Sequence, residues 1–377
     1  MIYLDNAATG GFKPNCVIEE TVNALKTSAN PTRSSHFLAT AMAEKVFDLR
    51  KSVAKLFSFQ TPERVIFTKN CTESLNTAIF GSVKPLGHVI VDCYAHNSLL
   101  RPLHYLKTKG LIDYTVVYPE SPMLPVTAKE VKNAMRRNTY LVAITHVSNV
   151  TGTENDVEGI GKYLDGSNVL FLVDGAQSAG HININMTRCC ISYLCLPAHK
   201  GLCCPTGLGF LLVNEKASLR PHLFGGTGTK SLDLVQPEEF PEGFESGTLP
   251  TAAIAGGLAG IKYVTSRFDE IEARLKSFRK LLYENVPKGI KLFSVPNDSG
   301  MFTFDFHNID PSEAADIFNF KHDIAIRYGY FCAPLIHNFI GSSERGLVRS
   351  SFSSFNPLSD GYYLLECIEK MAKEAET

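Results

Sequence analysis

The 377-residue sequence predicts an α/β fold with a largely parallel sheet, followed by a smaller α+β unit. Three features carry that expectation: strand-sized apolar runs, helical patterns between them, and a change of pattern near residue 251. The runs RVIFT (64–68), HVIVD (88–92), TYLVAITHV (139–147), NVLFLVD (168–174), ISYLCL (191–196) and GLGFLLV (207–213) are continuously apolar, as strands covered on both faces are. Between them lie helices. Leu38, Met42, Val46, Leu49, Val53 and Leu56 recur at steps of four and three. TESLNTAIF (72–80) is helical, NSLLRPLHYLKTKG is a helix ended by Gly110, and Thr127 to Glu130 form a capping box. From residue 251 one long helical stretch, bent around Ser266, leads into the short strands IKLFSV, MFTFDFH, IAIRYG and GLVRSSFS. The helices SEAADIFNF and SDGYYLLECIEKMAKEA lie among and after them.

Composition excludes several classes. Hydrophobic content of 44% and charged content of 20% are those of a globular protein with a full core. A formal net charge of −1, with Lys and Arg scattered, argues against nucleic acid or acidic lipid as a partner. No apolar run approaches the roughly 18 residues of a membrane span. The start, MIYLDNAATG, lacks the basic and apolar segments of a signal peptide. Ten cysteines without such a signal are expected as free thiols in a reducing compartment. The expectation is a cytoplasmic protein.

In parallel sheets ligands bind beyond the carboxyl ends of the strands, and polar residues cluster after these runs: 70–73, 96–97, 146–149 and 174–177. Asp174 ends one run and Lys200 follows the next, 26 residues later. Each is ordinary alone, since a strand-terminal Asp is commonly a cap and a lone Lys is commonly solvated. Together they fit pyridoxal phosphate, which needs a lysine for its covalent link and a carboxylate to keep its ring nitrogen protonated. A helix opening at CTES (71–74) would offer backbone N–H groups and the Thr72 hydroxyl to the phosphate.

The segments YLDNAATG, TKNCTESLN, YAHNSLLRPL, THVSNVTGT, VDGAQSAGH, AHKGLCCPTGLGFL, FESGTLPTAAIAGGLAGIKYV, IRYGYFCAPLIH and GLVRSSFSSFN run in order from residue 3 to 356. On them the chain resembles the class V aminotransferase superfamily of fold-type I pyridoxal phosphate enzymes, and within it the second group of cysteine desulfurases and the selenocysteine lyases. The resemblance implies a seven-stranded-type sheet in a large cofactor-binding domain (15–250), and a small α+β domain built from 1–14 and 251–377. It assigns Lys200 to the covalent link and to proton transfer at Cα, Asp174 to the ring nitrogen, and Gln177 to the ring hydroxyl. His96 would stack on the ring, and Asn149 would lie beside the ring hydroxyl and the substrate carboxylate. Cys71, Thr72 and His199 would contact the phosphate, as would Thr248 from the opposite subunit of a homodimer. Arg349 would clamp the substrate carboxylate, a bidentate task suited to guanidinium, with Arg327 as a second active-site arginine. Cys332 would be the nucleophile that takes sulfur from L-cysteine, holding it as a persulfide for an acceptor protein.

Two departures stand out. Pro197 occupies a place where the family usually has Ser or Thr, so one phosphate contact should be missing. Gly329-Tyr-Phe331 replaces the usual GHH or GLH, so aromatics stand where an imidazole would adjoin the thiol. Cysteines 189, 190, 195, 203 and 204 lack paired metal-ligand spacing and are expected as small core residues rather than zinc ligands. The alternatives are a selenocysteine lyase, a class V aminotransferase or carbon–sulfur lyase without a persulfide, and, from another class, a cysteine-rich metal or redox scaffold without catalysis.

Overall fold

The computed structural model describes residues 1–31 and 34–375. Residues 32, 33, 376 and 377, which fall within the expected domain ranges, lie outside the described residues. The strands are β1 (Ile2–Tyr3), β2 (Val65–Thr68), β3 (Gly87–Asp92), β4 (Ile112–Val117), β5 (Thr139–Thr145), β6 (Leu170–Asp174) and β7 (Tyr193–Pro197). They continue as β8 (Gly209–Val213), β9 (Ile290–Leu292), β10 (Met301–Phe306), β11 (Ile324–Ala325), β12 (Arg327–Gly329) and β13 (Leu347–Ser351).

Seven strands form the main sheet in the order β2-β8-β7-β6-β5-β3-β4. Only β8 runs against its neighbours; the others are parallel to one another. Strands β2, β3, β5, β7 and β8 are buried along their whole length, as continuous apolar runs require. Helices Cys71–Gly81 and Asn97–Thr108 cover one face through Leu75, Ile79, Leu99 and Leu103. Helices Phe37–Leu56, Val157–Leu164 and Thr251–Ser266 cover the other through Val46, Leu49, Ile160 and Ile254.

The predicted capping box is present: the Thr127 side chain caps helix Ala128–Ala134 while Glu130 reaches back to the Thr127 N–H. The long helical stretch after residue 251 is two helices, Thr251–Ser266 and Phe268–Glu284, broken at Arg267. A four-stranded antiparallel sheet, β12-β13-β10-β9, packs with helices Phe268–Glu284, Pro311–His322 and Leu358–Glu374 around Phe302, Phe304, Phe306, Phe318 and Phe352. The N-terminal strand β1 pairs in parallel with β11, and Asp5 bridges to Ser351 at the end of β13. The N-terminal segment thus begins in a separate two-stranded sheet, touches the end of β13 through Asp5, and reaches the large sheet where the Gly10 N–H donates to the His199 carbonyl.

Between β8 and helix Thr251–Ser266, residues 214–250 hold no helix or strand beyond a single 3₁₀ turn, Glu242–Phe244. This segment exposes Phe224, Leu232, Leu234 and Val235. Among the described residues no helix is long and apolar enough to cross a membrane.

Candidate active site

The carboxyl ends of β2, β3, β5, β6 and β7 open into one cavity of about 210 Å³. Its wall includes Cys71 and Thr72 after β2, His96 after β3, Asn149 after β5, Asp174 and Gln177 from β6, and His199 and Lys200 after β7. Eight residues drawn from five separate segments therefore meet in one place. Two glycines set the lysine turn. A Cβ on Gly180 would overlap the Gly201 carbonyl, and one on Gly201 would overlap the Ala179 carbonyl. That close approach binds the loop after Asp174 to the loop carrying Lys200.

Lys200 is half-buried, and burial pushes its amine down to about 8 from an ordinary 10.5. Cys71 and Asp174 pull it up again, while Arg349 and Arg327 push it further down. Asp174 is buried, and burial raises its carboxyl above the usual carboxylate range. Its Oδ1 accepts from the Ala176 N–H at 3.0 Å and from the Cys71 thiol at 3.6 Å. No donor among the described residues reaches Oδ2.

His96 caps helix Asn97–Thr108. Its Nδ1 accepts from the Ser98 N–H at 3.1 Å and lies 2.7 Å from the Ser98 hydroxyl, which assigns the ring proton to Nε2. Burial, then the cations Lys200, Arg327, Arg101 and Arg349, hold its pKa down to about 4, so the ring is neutral at pH 7.

The N-terminal segment lies across the cavity. Gln177 donates to the Ala7 carbonyl at 3.0 Å, Ala8 lines the wall, and the His199 ring meets the Thr9 hydroxyl at 2.9 Å. Lys13 donates to the His199 carbonyl at 2.7 Å. None of Asp5, Ala7, Thr9 or Lys13 is marked by spacing alone, because their partners lie far off in the chain.

Arg349 is 1% exposed. Its Nη2 pairs with Asp5 Oδ1 at 3.0 Å, its Nη1 donates to the Asn149 carbonyl at 2.9 Å, and its Nε is buried without a partner. Arg327 lies directly opposite Arg349 on the neighbouring strand. Like charges in that register repel, and no carboxylate among the described residues pairs with Arg327. Two guanidiniums in this register are a strongly cationic pair, and the guanidinium fork is of a shape that suits a carboxylate.

Cys332 is exposed, in the turn between β12 and helix Pro334–Ile340. Phe331 and Cys332 have φ of +47° and +58°. This left-handed conformation costs a non-glycine residue about 1–2 kcal/mol, so the surroundings must impose it. Three successive carbonyls are held: Tyr330 O by the Ala333 N–H at 3.1 Å, Phe331 O by Asn149 Nδ2 at 2.6 Å, and Cys332 O by the Asn97 N–H at 2.8 Å. The last bond sets the cysteine turn beside His96.

Arg327, Cys332, Arg349 and Thr248 are not in the cavity wall, and Asn149 is used differently from the expectation. Thr248 is exposed and outside the cavity, and the Asn149 amide holds the cysteine turn. The segment carrying Thr248 is anchored by a buried ion pair, Arg50 to Glu245, with bonds of 2.8 and 2.6 Å. Glu245 also accepts from the Phe67 N–H at 2.6 Å. Cys189, Cys195, Cys203 and Cys204 are buried, Cys190 is partly so, and all ten cysteines are free. Among the described residues no group of three or more His, Cys, Asp or Glu is placed to hold a metal.

Residues 2–361 match the family described as aminotransferase class-V. A probable cysteine desulfurase of Pyrococcus abyssi is 32% identical over 99% of this chain and 94% of its own. The chain belongs to the class-V aminotransferase family. A probable cysteine desulfurase of Methanothermobacter thermautotrophicus is 30% identical over 98% of this chain and 94% of its own. The apo structure of a cysteine desulfurase from Thermococcus onnurineus superposes with a TM-score of 0.92 at 29% identity, covering 99% of this chain and 95% of that one. The Escherichia coli cysteine desulfurase CsdA shares the fold, with a TM-score of 0.88 at 24% identity over 99% and 94% of the two chains. This class-V chain is therefore an enzyme of the cysteine desulfurase family, with the seven-stranded sheet and small antiparallel sheet of those structures.

The family depends on pyridoxal phosphate, and the residues present fit it. The buried Asp174 carboxylate has an oxygen without a donor, which a protonated ring nitrogen would satisfy. Helix Cys71–Gly81 opens on the cavity with the Asn70 side chain engaged at the Glu73 N–H. The Cys71 and Thr72 N–H groups thereby lack a protein acceptor among the described residues, as a phosphate cradle requires. Pro197, which has neither a hydroxyl nor an N–H to offer a phosphate, is in the wall.

Proposed function

We propose that this chain is a pyridoxal phosphate-dependent cysteine desulfurase, converting L-cysteine to L-alanine and passing the sulfur through Cys332 to an acceptor. The observation that carries the proposal is the docking of the Cys332 turn, through the Asn97 N–H, at the helix cap His96 that lines the Lys200–Asp174 cavity. Lys200 would hold the cofactor, Asp174 its ring nitrogen, Gln177 its ring hydroxyl, and Cys71, Thr72 and His199 its phosphate. When bound, the cofactor supplies an aldehyde for the amine link and a ring that accepts electrons from the substrate's Cα.

The chain's own groups do the rest. Arg349 and Arg327 bind the substrate carboxylate and so orient the sulfur toward the cysteine turn. Lys200 Nζ, held down to about 8, takes the proton from Cα. Cys332 Sγ, as thiolate, attacks the substrate sulfur; the S–S bond forms as the C–S bond breaks, and the bond pair stays with Cβ. Cβ takes the proton that Cys332 gave up on forming its thiolate, carried across by His96 as a transient imidazolium, and becomes the methyl group of alanine, while Lys200 Nζ returns its proton to Cα. Cys332 keeps the extra sulfur as a persulfide until a thiol or acceptor protein removes it.

The exposed Thr248 and the apolar side chains Phe224, Leu232, Leu234 and Val235 on the same segment support a two-fold homodimer in which Thr248 completes the partner's phosphate site. The test is turnover of L-cysteine, scored for alanine and sulfide with and without thiol reductant. Equal amounts of both with reductant, and alanine stalling near one per subunit without it, are expected. Alanine formed steadily without reductant or acceptor would contradict the persulfide route.

A further inference from the structure

The aromatic pair before Cys332 is left without a role by that account, which needs only the thiol. The structure gives Phe331 specific neighbours. Its ring is 4% exposed and lies beneath the Arg349 guanidinium, 4.7 Å from centroid to carbon. A buried cation over an aromatic face is attracted more strongly than an exposed one, and guanidinium stacks flat where an aliphatic group cannot. The Phe331 carbonyl is held by Asn149 Nδ2, and the Asn149 carbonyl is held by Arg349 Nη1. Asn149, Phe331 and Arg349 thus form a closed circuit, each touching the other two.

Cys332 is the next residue, in the left-handed conformation that the circuit helps to impose. Behind the turn, the buried His337 ring packs against Tyr330 and Phe331 at 5.5 and 5.8 Å, with its Nδ1 fixed 2.7 Å from the Ser342 hydroxyl. The turn is therefore supported from behind by His337, while its front aromatic meets the carboxylate-binding arginine.

We propose that Phe331 is a positioning residue that couples the carboxylate arginine to the thiol: a carboxylate arriving at Arg349 shifts Cys332 through the Phe331 ring. The inference rests on Cys332 being the sulfur-accepting thiol and Arg349 the carboxylate site. The aromatic that replaces the expected imidazole acts as a platform for a cation rather than as an acid or base. A residue that merely filled the core would be replaceable by any apolar side chain of similar volume, whereas coupling through the ring face would not.

The experiment uses the holoenzyme and L-alanine, which carries the carboxylate but no sulfur. Iodoacetamide modification of Cys332 is followed by mass spectrometry of its peptide, with and without saturating L-alanine. In the wild type the rate should change on the order of tenfold, the scale of one buried cation–aromatic contact. Phe331→Leu and Phe331→Met, which keep the volume and lose the face, should abolish the response and lower kcat with cysteine more than they raise KM. Phe331→Tyr should restore both. Either apolar variant responding to alanine as the wild type does would overturn the coupling, as would a wild-type rate that alanine leaves unchanged. Cys332→Ala, run alongside, separates the failures. If it still makes alanine, the assignment of the thiol falls and the coupling with it; if it is inactive while the apolar variants respond normally, the coupling alone falls.

Discussion

Replacing Lys200 by methionine should make the cofactor-free protein more stable. A lysine that titrates near 10.5 in the unfolded chain and about 8 in the fold binds its proton less well when folded. Below about pH 8 the side chain is charged in both states, so the folded state carries the whole cost of that gap. The cost is roughly 3 kcal/mol as an upper figure, because the half-buried amine still meets some water. It fades as pH rises from 8 toward 10.5, where the amine becomes neutral in both states. Methionine removes the charge and keeps most of the stem. Thermal melts of cofactor-free wild type and Lys200→Met should therefore differ by several degrees at pH 7 in favour of the variant, and converge near pH 10.5. The variant should also lose the borohydride-trapped cofactor. A variant less stable than wild type at pH 7, or a difference independent of pH, would show that the buried Lys200 charge is not the cost.

Asp174→Asn should retain cofactor at lower affinity but slow turnover by about ten- to a hundredfold, since an amide cannot hold the ring nitrogen's proton as a carboxylate does; stopped-flow measurement of Cα proton exchange checks it. Arg50→Ala strands the Glu245 carboxylate and should cost about 3–5 kcal/mol, read as a lowered denaturation midpoint. Because Glu245 anchors the segment carrying Thr248, the same variant should weaken the proposed homodimer, read by light scattering.

Much of the large sheet was legible because buried strands and amphipathic helices leave different periods in the sequence. Strand β4 was not: in Ile112–Val117 only the two ends are buried, and Asp113, Tyr114 and Thr115 dilute the apolar run as an edge strand's outer side does. Strand β8 was legible as a strand but not as the reversed one, since an apolar run carries no direction. Helix Asn15–Thr27 was missed because it leaves Ile18, Val22 and Leu25 exposed and buries only Val17 and Ala24, which blurs the helical stripe. The convergence of Cys71, His96, Asp174, Gln177, His199 and Lys200 on one cavity follows the rule that ligands sit beyond parallel strand ends. The partners of Arg349 and the clamp on the Cys332 turn were not legible. Asp5, Asn97 and Asn149 reach them across long stretches of chain, and only the fold brings them together.

Passage of sulfur through Cys332 leaves a mass that a single experiment reads. Intact holoenzyme is mixed with L-cysteine in the absence of reductant, and peptides are analysed by mass spectrometry alongside Cys332→Ala, Cys203→Ala and Cys204→Ala. Expected are the mass of one added sulfur on Cys332, turnover within a few-fold of wild type in the two core-cysteine variants, and no alanine from Cys332→Ala although it still binds cysteine. Normal alanine production by Cys332→Ala, or sulfur found on another cysteine in its place, would contradict it.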